Sequence, residues 1–304
     1  MFDVLLSRSG LTLDRLKALV EVEAAGSIVG VGPGNPNKHS QYSRQLRELS
    51  EFFGCELAER RGRTLRLTER GTLLAKLSRE FLQNLEDYDA ACRGQHIDYT
   101  IGGGDSLIQW LVMPRIAEVV DAVPSVRLST ASLNTRDVIE KITDCRLDIG
   151  LVRKSAPTPG LGSVNLGRIR YCLVVPRSLL AGHDAPTISR AFRELPMAMQ
   201  VSSGEFTATL LAIAKNFAPD FHAAISCQSL PQVLAAVKSR RFAAVLPELA
   251  ARELAKNTYT LLAGRDLAPL NREICLIWNP RVMTVRPHAS ALLAECRNAF
   301  LLRS

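Results

Sequence analysis

The sequence predicts a mixed α/β protein in two parts, and three observations carry that prediction. Up to residue 93 the apolar residues recur mostly at helical spacing, broken by one short alternating stretch at Thr64-Leu65-Arg66-Leu67, so the N-terminal part is nearly all α. From residue 98 the texture changes to strands alternating with helices. This second region holds about two units' worth of such elements, which implies two lobes, a cleft and mainly parallel sheets.

The first helix covers residues 12–25, with Thr12 as cap, Leu16, Leu19, Val20 and Glu23 or Ala24 at helical spacing, and Gly26-Ser27 as its stop. A Gly/Pro-rich run, GVGPGNPNKHS, follows at 30–40. A second helix covers 38–53 and ends at Gly54. Its predicted buried stripe is Tyr42, Leu46, Leu49 and Phe53, and its opposite face carries Lys38, Gln41, Arg44, Gln45 and Glu48. Asn35 or Asn37 can cap this helix, and Pro36 suits its first turn. A small hairpin bends at Gly62. Thr68 then caps a long helix whose Leu74, Leu77, Phe81, Leu85 and Tyr88 approximate a heptad seam. That seam needs either a second copy of the chain or its own domain to cover it.

In the second region, strands are expected at DYTIGGG, VRLSTASL, LDIGLV, RYCLVVP, LPMAMQV, HAAISCQ, FAAVLP and EICLIWN. The helices between them include DSLIQWLVMPRIAEVVDAV, RDVIEKITDC, FTATLLAIAKNFA, LPQVLAAVKSR and PHASALLAECRNAFLL.

Composition narrows the function. The chain has 304 residues, 47% apolar and 22% charged, an ordinary balance for a soluble globular protein. Its longest apolar runs, such as Leu173-Val174-Val175, are far too short to span a bilayer. The start, MFDVLLSRSG, does not read as a signal peptide. A cytoplasmic protein with no membrane partner is expected. The seven cysteines and five histidines are scattered, so reduced, mostly buried thiols are expected, with no metal site and no cofactor. A net charge of +8 favours an anionic partner. Arg60, Arg61, Arg63 and Arg66 cluster in RRGRTLR, either as a solvated basic turn or as phosphate contacts on nucleic acid.

The Gly/Pro run invites comparison with a nucleotide-phosphate loop. Aligned on Lys38, Asn37 stands where the second glycine is needed and His39 where Ser or Thr is needed. Pro33 and Pro36 remove two amides that such a loop uses. Nucleotide binding is not expected there.

Taken in order, GSI at 26–28, SRQLREL at 43–49 and FFGCELAERRGRTLRLTERG at 52–71 resemble the winged helix-turn-helix of LysR-type transcriptional regulators. The resemblance extends through TIGGGDSLIQWLVMPRI, RLDIGLV, LGRIRYCLVVP and LAAVKSRRFAAVLP, and so covers nearly the whole chain. It implies an N-terminal all-α winged helix-turn-helix at residues 1–67, a linker and dimerisation helix at 68–93, and a two-lobed α/β effector-binding domain at 94–304. Lobe I would comprise 94–173 and 271–304, and lobe II 174–270. The implied partners are double-stranded DNA, a small, anionic effector and further copies of the chain in a dimer or tetramer.

By this resemblance Lys38, His39, Gln41 and Arg44 face the major groove, with Ser40 and Ser43 near the backbone. Arg61 and Arg63 at the wing bind phosphate or reach the minor groove. Gln41 also reads as a plain solvated helix position. Ser106, Ser202, Ser203 and Gln228 would line the effector cleft. Ser106 reads equally as a helix N-cap, and the two roles are compatible. The chain departs from the family in three places. Residues 29–35, normally an alanine-rich helix, contain Gly30, Gly32, Pro33 and Gly34, so the bracing helix must be short, irregular or displaced. Cys145 replaces a glycine, and Arg240 and Phe242 replace two more.

Other classes have less behind them. No G-x-S-x-G elbow is present, and Glu80, Glu86, Asp87 and Asp89 read as an acidic helix end, so no catalytic residues are expected. A solute-binding protein fits the two lobes but not the basic N-terminal region. A chain that kept the fold and lost DNA binding is the alternative that the Gly/Pro run keeps open.

Overall fold

The computed structural model describes residues 2–61, 64–180, 186–201 and 204–302, with the Arg61 side chain excluded. Two compact units emerge: residues 1–97 with 284–287, and 98–283 with 288–304.

In the first unit a short α1 (Asp3–Leu6) precedes α2 (Leu13–Ala25), which Thr12 caps by accepting from the Arg15 N–H at 3.4 Å. Gly26 ends α2 in the left-handed conformation. One turn, α3 (Ile28–Val31), is all that the Gly/Pro run leaves of the bracing helix. α4 (Pro36–Phe53) begins with Asn35 accepting from the Lys38 N–H at 3.0 Å and Pro36 at its first position. Strands β1 (Ala58–Arg61) and β2 (Thr64–Leu67) pair antiparallel as the expected hairpin. α5 (Glu69–Cys92) starts where Thr68 accepts from the Gly71 N–H. Gly71 is needed for the approach: a Cβ there would lie 2.0 Å from the Leu57 carbonyl oxygen.

Leu16, Leu19, Val22, Ile28, Leu46, Leu49, Leu57 and Ala75 form the core of this unit. Burying each large aliphatic side chain contributes about 1.5–3 kcal/mol. Of the expected α4 stripe, Leu46 and Leu49 are buried and Tyr42 is half-buried. Phe52 is buried and Phe53 only half-buried, the two rings meeting edge to face at 5.0 Å. Leu74 likewise packs against this core, whereas Leu73 is exposed together with Leu77, Phe81, Leu85 and Tyr88. Asp87 is not part of a solvated acidic end. It is buried, accepting from Arg286 Nε at 2.5 Å and Gln83 Nε2 at 2.9 Å. A carboxylate removed from water needs such charged and hydrogen-bonded company.

The second unit carries, in order, β3 (Ile97–Gly103), α6 (Asp105–Leu107), α7 (Ile116–Ala122), β4 (Val126–Ser132), α8 (Thr135–Thr143), β5 (Ile149–Arg153), β6 (Gly162–Ile169) and β7 (Tyr171–Pro176). Next come α9 (Ile188–Glu194), β8 (Ala198–Gln200), α10 (Glu205–Phe217), β9 (Ile225–Cys227), α11 (Leu230–Lys238), β10 (Ala244–Pro247), α12 (Glu248–Ala251) and β11 (Tyr259–Leu262). β12 (Arg272–Trp278), α13 (Pro280–Val285) and α14 (Ala289–Phe300) complete the chain. A π-helical turn at Ile108–Val112 and a 3-10 turn at Met113–Arg115 join α6 to α7.

One lobe is a five-stranded sheet in the order β4-β3-β5-β12-β6. The other is a three-stranded sheet, β10-β7-β11, bridged from Ala243 to Met197 beside the β8-β9 pair. Mainly parallel sheets were the expectation, and the structure corrects it. β3 pairs with β5 and β8 with β9 in parallel, but β12 runs antiparallel to both β5 and β6, and β7 antiparallel to both β10 and β11. The reason is topological: the chain leaves the first lobe through β6 and returns through β12, and the returning strand enters between β5 and β6 in the opposite direction.

Candidate nucleic-acid interface

α4 has two distinct faces. Leu46, Leu49 and Phe52 turn inward, and the outward face carries Asn37, Ser40, Gln41, Ser43, Arg44 and Arg47, all exposed. At 100° per residue these six fall within one wide stripe opposite the core. Arg44 and Arg47 make only loose surface pairs along the helix, with Glu48 at 3.9 Å and Glu51 at 3.6 Å. Such pairs contribute about 0.3–0.5 kcal/mol, so either guanidinium can exchange its partner for a nucleic-acid acceptor. Ser40, Gln41, Ser43 and Arg44 thus share one face. Arg47 belongs with them and was missed, although it lies one turn beyond Arg44 on the same stripe.

Lys38 and His39 are used differently. Lys38 Nζ donates to the Val31 carbonyl at 3.2 Å and sits 5.5 Å from the centre of the Tyr42 ring. His39 Nε2 lies 2.7 Å from the Gly32 carbonyl oxygen, which can only accept, so this nitrogen carries the proton. The Asn35 N–H donates to that same Gly32 oxygen at 3.0 Å. A longer helix would satisfy these carbonyls from its own next turn. Here, with α3 stopped after one turn, side chains from the following helix do so. Both residues therefore turn back onto the α3–α4 connection instead of facing outward as expected.

α4 is fixed to α2 by polar ties as well. Tyr42 Oη donates to Glu21, and Arg15 pairs with Glu48 at 2.6 Å. Burial, then the Glu21 carboxylate, push the Tyr42 phenol up to about 12, so it stays a donor at neutral pH. Arg60 and Arg66 occupy the hairpin strands, one on each. The Arg61 side chain and all of Arg63 lie outside the described residues.

Of the four expected effector contacts, Ser202 and Ser203 also lie outside the described residues. Ser106 is half-buried at the second position of α6, and Gly104, not Ser106, is the N-cap residue there. Gln228 is exposed just ahead of α11, its N–H donating to Gln232 at 2.8 Å and its carbonyl accepting from Gln200 at 3.2 Å. α6 packs against α11, so Ser106 and Gln228 flank the same junction of the two lobes. Beside it Trp110, 5% exposed, enters the core of the β7-containing lobe, and its indole N–H donates to Glu253 at 2.7 Å. Lys238 donates to the same carboxylate at 2.6 Å; that bond, ahead of the one from Trp110, holds Glu253 below its ordinary range. No sequence signal pointed to this tie, because its partners are 143 residues apart.

Among the described residues no cluster of His, Cys, Asp or Glu could hold a metal ion. Cys172, Cys227, Cys275 and Cys296 are buried, and burial pushes the Cys172 and Cys296 thiols up to about 12. No helix among the described residues is long and apolar enough to cross a membrane.

Residues 13–72 match the family described as bacterial regulatory helix-turn-helix protein, lysR family, and residues 95–301 match the LysR substrate binding domain. The uncharacterized HTH-type transcriptional regulator Mb2303c of Mycobacterium bovis is 26% identical over 280 residues, covering 84% of this chain and 87% of that protein. A full-length OxyR variant from Pseudomonas aeruginosa superposes with a TM-score of 0.67 at 15% identity, covering 98% and 97% of the two chains. Full-length CbnR, solved in complex with its target DNA, superposes with a TM-score of 0.58 at 16% identity, covering 95% and 99%.

Proposed function

The chain belongs to the LysR family of bacterial helix-turn-helix regulators, and on that premise we propose how this DNA-binding transcriptional regulator reads its operator and senses its effector. Gln41, Arg44 and Arg47 read the major groove of double-stranded DNA, with Ser40 and Ser43 near the phosphate backbone. The observation that carries this reading is the exposed, loosely paired stripe on α4. Lys38 and His39 act one step back, by holding the α3–α4 turn. Arg61 and Arg63 add phosphate or minor-groove contacts at the wing. The CbnR complex with target DNA supports the same use of the fold.

The exposed Leu73, Leu77, Phe81, Leu85 and Tyr88 on α5 are covered by a second copy of the chain, giving a dimer or tetramer. A small anionic effector binds between the lobes, near Ser106, Gln228, Ser202 and Ser203. The protein is non-enzymatic and cytoplasmic; membership of a DNA-binding regulator family supports both.

Fluorescence anisotropy of the full-length protein on its own promoter DNA, at several salt concentrations, tests the interface. Wild type should bind with a steep salt slope. Arg44→Ala should weaken specific binding roughly tenfold or more and relax preference at one base position. Indifference of both affinity and sequence preference to Arg44→Ala and Arg47→Ala would sink the assignment, and would favour a chain that kept the fold without its DNA contacts.

A further inference from the structure

Arg153 ends β5 and stands opposite Ile274 of β12, which places Arg272, two residues back along β12, on the same face of the sheet as its diagonal neighbour. The two guanidiniums share a single carboxylate, that of Glu205 at the start of α10. Arg153 Nη1 pairs with Glu205 closely, but Arg272 Nη2 lies 3.7 Å from it, outside hydrogen-bonding distance. Arg272 Nη1 is taken by the carbonyls of Pro269, at 2.7 Å, and Asn271, at 3.1 Å. Arg153 Nε and Arg272 Nη2 are both buried with no hydrogen-bond partner. Buried charged donors without acceptors are costly, and here two of them converge on one over-shared carboxylate.

These groups line a cleft of roughly 350 Å³ together with Lys154, Ser155, Asn271 and Glu273. Glu273 is already satisfied by Lys154 at 2.9 Å and Arg168 at 3.1 Å. Three cationic side chains (Arg153, Lys154, Arg272) against two carboxylates (Glu205, Glu273) leave the lining one charge positive. The volume is at the small end of ligand pockets.

We propose that this cleft is an anion-binding site for a small molecule bearing a carboxylate or phosphate, whose oxygens replace Glu205 between Arg153 and Arg272. Two or three oxygens on one ligand satisfy the donors that a single Glu205 carboxylate leaves unmet, and a forked guanidinium suits either group. Because Glu205 opens α10, the exchange also releases that helix from the rim of the five-stranded sheet. That gives the bound anion a means of moving one lobe relative to the other; because the cleft lies between the lobes, the proposal rests on the effector reading above and names its anion contacts.

Calorimetric titration of the full-length protein with inorganic phosphate, and separately with succinate, tests the site at an ionic strength held constant with chloride. Saturable binding of at least one anion is expected, and whichever binds names the chemistry. Glu205→Gln, which removes the internal competitor, should bind that anion roughly fivefold more tightly. Arg153→Gln with Arg272→Gln should abolish the heat while leaving promoter binding intact. Should the double variant fail to fold, Glu205→Gln decides alone. No saturable binding of either anion to wild type and Glu205→Gln, or unchanged binding without the two arginines, would overturn the site. Promoter binding measured on the same preparations keeps that outcome separate from any failure of the regulator reading.

Discussion

Two regions depart from the LysR pattern in opposite directions. Residues 30–36 place glycine and proline where the family has a helix, and Cys145 and Arg240 place side chains where it has glycine. In the first region the backbone changed: α3 is one turn long, and Lys38, His39 and Asn35 supply the hydrogen bonds that the missing turns would have made. In the second the backbone holds a conformation that suits glycine. Cys145 and Arg240 sit at φ +55° and +63°, in the left-handed region that glycine tolerates best. The difference lies in what can be repaired. An orphaned carbonyl needs only a donor from anywhere nearby. A left-handed L-residue has no such remedy, and its penalty of about 1–2 kcal/mol stays in the folded state.

The comparison predicts first that α3 is held by its single buried side chain. Ile28 is 4% exposed in the core of the first unit. Ile28→Ala should cost about 2–5 kcal/mol, read as a drop in the denaturation midpoint of that unit. A loss below about 0.5 kcal/mol would mean that the turn is held by its polar patch instead. Next, placing an alanine at Gly30, in keeping with the alanine-rich helix of the family, should not restore the helix. A Cβ there would lie 2.6 Å from the Ala25 carbonyl oxygen, so Gly30→Ala should destabilise by about 1–3 kcal/mol, against the gain that helix propensity alone predicts. Stabilisation by Gly30→Ala would show that α3 shifts freely. Smaller again, His39→Ala leaves the Gly32 carbonyl with only the Asn35 N–H and should cost about 1 kcal/mol in urea unfolding. A variant that keeps wild-type stability yet loses DNA affinity would return His39 to the groove-facing role.

How far the sequence could be read follows the range of the interactions involved. Thr12, Asn35, Thr68 and Gly54 mark helix ends through bonds spanning only a few residues, and each acts in the structure as its sequence position suggested. Periodicity gave the outer stripe of α4 only in part: Gln41 and Arg44 are exposed as expected, Lys38, Gln45 and Glu48 are half-buried, and Arg47, three residues past Arg44, joins the exposed side. What periodicity could not supply was partnership. The Asp87–Arg286 pair joins residues 199 apart, so a local reading took Asp87 for a solvated acid. The strand β11 and the antiparallel return of β12 depend in the same way on where distant chain passes, whereas α9 carries local signals, a Thr187 cap and an Arg190–Glu194 pair, that the sequence reading passed over. Lys38 and His39 were misdirected for a subtler reason: seven residues separate each from its acceptor, and only the early stop of α3 brings them within reach.

The smallest expected effects test the other half of the comparison. α8 ends in a paired turn, with the Cys145 N–H donating to Ile142 at 3.2 Å and the Arg146 N–H to Lys141 at 2.7 Å, and Cys145 between them at positive φ. This is the cap for which glycine is preferred. At the end of α11 the Arg240 N–H donates to Val237 at 2.9 Å, its carbonyl accepts from Ser178, and its side chain is exposed. Replacing either residue with glycine relieves about 1–2 kcal/mol of left-handed strain and returns up to about 1 kcal/mol through the greater freedom of the unfolded chain. The net expectation is stabilisation of up to about 1 kcal/mol, a rise of roughly 2–4 °C in the unfolding midpoint of a unit this size. Arg240→Gly should gain more than Cys145→Gly, because Cys145 gives up its contact from Asn279 Nδ2 to Sγ at 3.7 Å. Were both variants less stable than wild type, the side chains at these turns would have to contribute more than the strain they impose, and the contrast with residues 30–36 would disappear: both regions would then be cases of lost family geometry repaired by new contacts.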